Sequence, residues 1–273
     1  MLLDIVGSKV RFTVLASLAK GSKLSIPVTP RSVARVYGVN LTETYRFFRR
    51  LESSGLAVRV RGGYVLSERG LALVDFIVST LPNPTQWSSP FMEWVRRSVP
   101  DTMYYIAYPR LQSWFGLTPY LIVFDRRLAG ALELPKGIKV VGESSGLGEG
   151  LVLAVFTSLR GKSFKYSWDY HLSIASLEQG YSDLISYTPF WTNIIPDVLL
   201  NRDVLDIDEI FERATGAGRR RLATALAYYM TLTGRVVTLK TPFYSLVDES
   251  LLSSVIEMTP YLLDSRILEA RNI

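Results

Sequence analysis

The stretch from Thr29 to Leu66 decides the fold and has the sequence TPRSVARVYGVNLTETYRFFRRLESSGLAVRVRGGYVL. Thr29 is a good N-cap, and Pro30 suits the first helical position because its φ is preset and it has no N–H to leave unsatisfied. Gly38 supplies the positive φ that commonly ends a helix. The opening of this stretch therefore predicts a short helix that ends in a tight turn.

A second helix follows, with Asn40 or Thr42 as its cap. The residues expected to face the core share one side of this helix, namely Thr44, Phe47, Phe48 and Leu51. The opposite side is polar and basic, and it carries Thr42, Glu43, Tyr45, Arg46, Arg49 and Arg50. Gly55 has the position of a C′ residue and ends the helix.

A two-stranded hairpin is predicted after this helix. Val58 and Val60 alternate with Arg59 and Arg61, Gly62-Gly63 supplies a tight turn, and residues 64–66 return as the second strand. Ahead of the stretch, Ser8 can cap another helix, whose apolar residues are Val10, Val14, Leu15 and Leu18. Short helices and glycine hairpins occur singly in many folds. Their ordered combination is typical of a winged helix-turn-helix, which enters the DNA major groove.

Length and composition limit the number of domains, the kinds of site and the cellular location that are expected. The chain has 273 residues, enough for two domains, and contains no cysteine, which excludes disulfides, thiolate zinc sites and cysteine nucleophiles. Neither a signal peptide nor an uncharged apolar run of bilayer length is evident, so we expect a soluble cytoplasmic protein without a membrane partner. Only three glutamines and five asparagines are present, a hint of a thermophilic source.

The net charge of +6 is unevenly distributed. Residues 1–80 contain 12 Lys and Arg against 5 Asp and Glu, whereas residues 81–273 contain 19 against 20. Charge runs usually just keep a surface solvated, but an excess confined to a predicted winged helix is typical of phosphate contacts. We therefore expect double-stranded DNA as a partner.

The expected DNA contacts are of two kinds, to base edges and to phosphates. Base edges are expected to meet Thr42, Glu43, Tyr45 and Arg46, with Arg46 on guanine and Glu43 on cytosine. Phosphate contacts are expected from Arg31, Arg49, Arg50, Arg59 and Arg61, and one hairpin arginine could enter the minor groove. For Arg50, pairing with a nearby carboxylate is the alternative.

The predicted fold class is α+β, in two domains. A winged helix-turn-helix domain over residues 1–81 includes a helix from Glu68 to about Leu81, and a proline-rich linker over residues 82–90 joins it to an α+β partner-binding domain over residues 91–273. In this second domain, helices are predicted near residues 91–99 and 103–115, strands at 120–124, 138–141, 151–156 and 162–168, and helices at 175–186, 190–200, 207–214, 219–233 and 245–257. A small sheet thus precedes a helical half.

No catalytic residue, metal site or cofactor is predicted. His171 is the only histidine, and without a nucleophile elbow it favours a structural role. The densest carboxylate cluster is Asp203, Asp206, Asp208, Glu209 and Glu212. Asp206 and Asp208 have positions that favour a helix N-terminus, and no glycine-turned calcium loop surrounds them, so capping is the better interpretation. The glycine and serine loop at residues 142–150 lacks a phosphate-binding lysine and is predicted to be a flexible turn. A nuclease triad of Asp125, Glu133 and Lys139 would have a loose spacing that arises often by chance.

Three consecutive arginines, residues 219–221, begin a predicted helix, where positive charge opposes the helix dipole. Their pairing with Asp208, Glu209 or Glu212 is the simpler explanation. The alternative is that Arg219 and Arg220 bind an acidic surface of a partner protein, or a phosphate.

Residues 175–185 have the sequence ASLEQGYSDLI, and further motifs lie at residues 206–210, at 220–222 followed by Gly234, and at 105–118, which end in WFGLT. These stretches resemble motifs of the AbiEi antitoxins, transcriptional regulators associated with phage-defence systems, in which a winged helix also stands in front. The first resembles the family's A-S-x-E-x-A-x-x-D-L-L. Gln112, Ser113 and Gly180 depart from the family's pattern, and the chain continues past Gly234.

The resemblance implies an autoregulating repressor that binds inverted repeats in its own promoter and is paired with a nucleotidyltransferase toxin of AbiEii type. The chain lacks the toxin's own signature, because no pair of aspartates follows Gly7-Ser8. No enzyme is therefore expected. Three other functions stay open from the residues alone, namely a DNA-docking nuclease, a ligand-responsive transcription regulator and a winged helix used only for protein contact.

Overall fold

The computed structural model describes residues 8–80, 90–107, 120–141, 152–263 and 267. This part of the chain contains helices and a mixed sheet, so the predicted α+β class is correct. Residues 82–89 of the predicted linker, residues 108–115 of a predicted helix and the glycine loop at 142–150 lie outside the described residues.

Over the described residues 8–80, the N-terminal unit contains four helices and one hairpin. These are α1 (Lys9–Lys23), α2 (Pro30–Tyr37), α3 (Leu41–Ser53), β1 (Ala57–Val60), β2 (Gly63–Leu66) and α4 (Glu68–Thr80). The side chains of Ser8, Thr29 and Asn40 cap the first three helices, and Gly38 ends α2 with a φ of 66°. Of the two caps that the sequence allowed for α3, Asn40 is the one used, because its Oδ1 accepts from the N–H groups of Thr42 and Glu43. Local capping chemistry thus sets these helix ends.

The hairpin between β1 and β2 is antiparallel, with Val60 opposite Gly63. Arg61 and Gly62 therefore form the turn, and the predicted Gly62-Gly63 turn is wrong by one residue because Gly63 already belongs to the second strand. Gly63 has a φ of 151°, and a Cβ there would lie 2.6 Å from the carbonyl oxygen of Val28. Val28 forms an isolated antiparallel bridge with Tyr64, which ties the segment before α2 to the hairpin.

The apolar sides of these elements form one core. Leu15 and Leu18 of α1 pack with Phe48 and Leu51 of α3, and all four are fully buried. Phe48 also makes an edge contact with the ring of Tyr64 at a centroid distance of 5.1 Å. The predicted helical faces are therefore the ones that fold inward.

A six-stranded sheet forms the centre of the remaining chain. Its strands are β3 (Tyr104–Ala107), β4 (Tyr120–Asp125), β5 (Ile138–Val140), β6 (Val152–Thr157), β7 (Phe164–Ser167) and β8 (Leu172–Ala175), in the spatial order β5-β6-β4-β3-β8-β7. β5, β6 and β4 are parallel, β3 is antiparallel to β4 and parallel to β8, and β7 pairs antiparallel with β8.

Helices surround this sheet. α5 (Pro90–Ser98) precedes it, and the later helices are α6 (Leu177–Tyr187), α7 (Trp191–Leu200), α8 (Ile207–Arg213), α9 (Gly216–Thr233), α10 (Leu252–Ile256) and α11 (Thr259–Leu262). Side chains from one sheet face and from α6, α7 and α9 form the largest apolar core, which includes Tyr105, Val123, Leu184, Ile195 and Leu226. The small sheet and the helical half are present as predicted.

Two element predictions are wrong, and one strand was not predicted. The helix predicted over residues 103–115 begins instead as strand β3, whose four residues are all buried. A short apolar run buried on both faces has no period that separates a strand from a helix. The strand β8 was not predicted, and the helix predicted over residues 245–257 consists of two 3₁₀ turns (Tyr244–Leu246 and Glu249–Leu251) followed by the five-residue α10.

The N-terminal unit packs directly against the sheet. Val36 of α2 belongs to the core of the sheet unit, the part of the chain that contains the six-stranded sheet and its helices. The rings of Tyr37 and Tyr166 lie 5.1 Å apart. Asp101 joins the two units, because its carboxylate accepts from Lys20 Nζ at 3.1 Å and from the Tyr37 hydroxyl at 2.7 Å. Burial, and then the nearby Asp101 charge, raises the pKa of Tyr37, which keeps this hydroxyl a donor. The two predicted domains thus share a packed and hydrogen-bonded interface.

Candidate nucleic-acid interface

Helix α3 buries one side and exposes the other. Thr44, Phe47, Phe48 and Leu51 are buried against the core. Exposed on the opposite side are Thr42, Glu43, Tyr45, Arg46, Arg49 and Arg50, all six of the residues predicted there to meet DNA. The helix is 13 residues long, so this surface spans more than three turns.

Two residues predicted to contact bases are bonded to each other. Arg46 Nη1 donates to the Glu43 carboxylate one turn earlier, and both side chains are largely exposed. Together with Ser8, Arg11 and Arg50 they line a cleft of about 160 Å³ between α1 and α3. An exposed pair of this kind contributes at most about 1 kcal/mol, so Arg46 can exchange its carboxylate for another acceptor at small cost.

The arginines predicted to meet phosphates lie on the surface without internal charge partners. Arg31, Arg49, Arg50, Arg59 and Arg61 are all exposed. None of them forms an ion pair with any other residue that the structure describes. The alternative of a carboxylate partner for Arg50 is therefore not realised within that part of the chain.

The hairpin extends the basic surface. Arg59 lies opposite Tyr64, so both are on the same face of the hairpin. The Tyr64 side chain is buried, whereas that of Arg59 is exposed. Arg61 is in the turn itself. Val58 and Val60 lie on the other face and are exposed. The hairpin thus has an exposed arginine at its tip and another on its first strand.

The three arginines at residues 219–221 have internal partners that differ from the predicted carboxylates. Arg219 donates to the backbone carbonyls of Phe211 and Glu212, at the end of α8. Arg220 pairs with Asp248 at 3.6 Å. The prediction of Asp208, Glu209 or Glu212 as partners is wrong, because Glu209 pairs with Arg213 and Asp208 accepts from the N–H of Lys240.

Arg221 has the most structural role of the three. Its Nη1 donates to the carbonyls of Ile185, Ser186 and Thr188, at 2.7 to 3.2 Å, where α6 ends. A cation there complements the negative end of the helix dipole. Burial lowers the pKa of the Arg221 guanidinium below its ordinary value.

The residues considered for nuclease chemistry do not form a metal-binding group. Asp125 is buried at the end of β4, and both of its carboxylate oxygens accept from Arg127, at 2.9 and 3.1 Å. Glu133 is exposed and Lys139 is half-buried. Across the described ranges, no three acidic, histidine or cysteine side chains are grouped so that they could hold a metal ion. Asp206 is the N-cap of α8, as its position predicted.

His171 lies in the turn between β7 and β8 with a φ of 53°, in the left-handed region. Its Nδ1 is 3.3 Å from the Tyr166 hydroxyl. Burial, and then the charges of Lys9 and Arg96, lower its pKa, so the neutral ring is favoured. These contacts agree with a structural histidine.

A buried polar network centres on Asp183, within the motif at residues 175–185. Asp183 accepts from the Tyr105 hydroxyl at 2.6 Å, from Lys162 Nζ at 2.8 Å and from Gln179 Nε2 at 2.9 Å. Ser176 is the N-cap of this helix, α6. The polar residues of the motif therefore cap and anchor a helix. Lys162 and Tyr105 were not predicted to be part of any site, since their partner is far away in the sequence.

None of the described helices combines the length and the hydropathy that crossing a lipid bilayer requires. No family model, no curated protein and no solved structure matches this chain.

Proposed function

We propose that this chain is a sequence-specific DNA-binding transcription regulator, in which the N-terminal unit acts as a winged helix-turn-helix. Helix α3 would enter the major groove and the β1–β2 hairpin would lie along the adjacent backbone. The proposal also includes a cytoplasmic location.

One observation carries the proposal. Five arginines are exposed on α2, α3 and the hairpin, and within the described residues they lack carboxylate partners, namely Arg31, Arg49, Arg50, Arg59 and Arg61. Several other cations do have carboxylate partners, among them Arg127, Lys162 and Arg213. Exposed cations without such partners suit the phosphate oxygens of a duplex.

Fluorescence anisotropy tests the proposal. The purified chain would be titrated into labelled duplexes from upstream of its own gene and into scrambled duplexes of equal length, across a salt series. We expect tighter binding to the upstream duplex, with an affinity that falls steeply with salt. Equal and salt-independent affinities would exclude the proposal.

The AbiEi resemblance extends the proposal to an autoregulating, antitoxin-like repressor. Its operator would contain inverted repeats, and its helical half would bind an AbiEii-type toxin. Arg220 is the better candidate for that contact, since its side chain is half-exposed beside Asp248, whereas Arg219 is bonded to the end of α8. Co-expression with the neighbouring gene product, followed by purification through a tag on the toxin alone, tests the complex. The variant Arg220→Ala should weaken it.

A further inference from the structure

The exposed surface of α3 carries large apolar side chains beside its charged ones. Leu41 is the first residue of the helix and Tyr45 lies one turn later, with 39% and 42% of their surfaces exposed. Residues four positions apart lie on the same side of a helix. Thr42 is exposed next to them and contributes a methyl group. An apolar strip is thus present near the N-terminal end of an otherwise charged surface.

The residues suited to guanine and cytosine lie on the other flank. Glu43 and Arg46 are bonded to each other, and with Arg50 they line the cleft toward α1. Leu41 and Tyr45 are not among the residues that line it. At the start of α3, the flank that faces away from this cleft is therefore mainly apolar.

Thymine is the base that matches such a strip. In the major groove, its C5 methyl is the apolar group that a base edge offers, and apolar side chains contact it. The N-terminal residues of a recognition helix are the ones that meet base edges. We propose that Leu41 and Tyr45 contact thymine methyl groups, so that the preferred half-site has thymine where it faces the start of α3. This inference rests on the proposed function.

Charge complementarity favours DNA over a protein as the occupant of this strip. Arg49 and Arg50 follow it on the same helix, and the hairpin adds Arg59 and Arg61, all exposed and without carboxylate partners in the described part. An apolar protein surface would leave these cations desolvated and unpaired, whereas a duplex supplies phosphates for them.

The test replaces thymine by uracil, which removes the methyl group and nothing else. A preferred duplex is first selected from a random-sequence pool with the intact chain, and each dT in it is then replaced by dU in turn. Each contacted methyl should cost about a fourfold loss in affinity, the loss that follows from one buried methyl group. The variants Leu41→Ala and Tyr45→Ala should each bind one dU duplex as well as its dT counterpart.

Two further variants serve as controls. Tyr45→Phe keeps the ring, so the sensitivity to dU should remain. Leu252→Ala removes a leucine of equal exposure, 38%, at the start of α10, and should leave every affinity unchanged.

The outcomes separate this inference from the function on which it rests. Selection of a preferred duplex that binds equally well with dU at every position would overturn the thymine contacts and leave the DNA-binding proposal standing. Sensitivity to dU that persists in both alanine variants would overturn the assignment to Leu41 and Tyr45. Failure to enrich any sequence would refute specific binding itself, and the thymine contacts with it.

Discussion

Replacement of Asp101 by alanine should be among the most destabilising single changes in this chain. The carboxylate lies between the two units, and its side chain is only 4% exposed. Lys20 Nζ and the hydroxyl of Tyr37 donate to it, and the hydroxyl of Tyr104 is 3.5 Å away. Because the Lys20 side chain is also only 13% exposed, removal of the carboxylate leaves a buried ammonium without its counter-charge.

The size of the effect follows from this burial. Breaking a buried ion pair by removing one partner costs about 3 to 5 kcal/mol, since the other charge stays desolvated. A second aspartate provides a matched control. Asp75 pairs with Lys23, which lies on the same helix as Lys20, but these two side chains are 59% and 58% exposed. The same change at Asp75 should therefore cost at most about 1 kcal/mol.

Urea unfolding followed by far-UV circular dichroism measures both variants against the parent chain. We expect a clear fall in the free energy of unfolding for Asp101→Ala and almost none for Asp75→Ala. Asp101→Asn should give an intermediate value, because the amide oxygen still accepts a hydrogen bond while the charge is lost. If Asp101→Ala and Asp75→Ala had equal effects, the junction would not depend on this carboxylate.

Further expectations concern DNA binding, pH and backbone geometry. Arg46→Ala should weaken binding to the preferred duplex by about 1 to 3 kcal/mol of free energy and relax specificity. Arg59→Ala should instead weaken binding to all duplexes alike and lower the slope of log affinity against log salt concentration by roughly one. Fluorescence anisotropy measures both effects. Burial raises the pKa of Asp197 to about 6, so its contribution to stability falls as the pH rises from about 4 through 6. Asp197→Asn should remove this fall, which unfolding curves at several pH values would measure. If the free energies of unfolding of the variant and the parent chain changed equally with pH, the reasoning would be contradicted. Gly63→Ala should cost roughly 1 to 3 kcal/mol, because its φ and the Val28 carbonyl both oppose a Cβ, and a melting temperature equal to that of the parent would refute this.

Local chemistry made the N-terminal unit predictable. Ser8, Thr29 and Asn40 each cap a helix that begins within two residues, and Gly38 ends one. Signals of this kind lie within one turn of the helix end that they specify, so the sequence alone is enough to locate these helix ends. The exposure of the polar side of α3 followed from the same helical period.

Contacts between distant residues were not predictable in this way. Asp101 is separated from Tyr37 by 64 residues and from Lys20 by 81, and no local pattern connects them. The strand β3 is buried on both faces, so its sequence lacks the alternation that marks a strand. The partners of Arg219 and Arg221 are backbone carbonyls, which every residue possesses and which a sequence cannot single out.

Helix α2 belongs to both halves of the molecule, since Val36 and Tyr37 complete the sheet unit while Thr29 and Gly38 set the approach to α3. Through α2, packed side chains as well as the chain itself therefore join the sheet unit to α3. Under the proposed function, a protein that bound the helical half would alter DNA binding through steric overlap or by tilting the whole molecule on the duplex. Under the same proposal, two copies on neighbouring half-sites would have their separation set by the width of the entire molecule, so operator spacing would depend on the sheet unit as much as on α3.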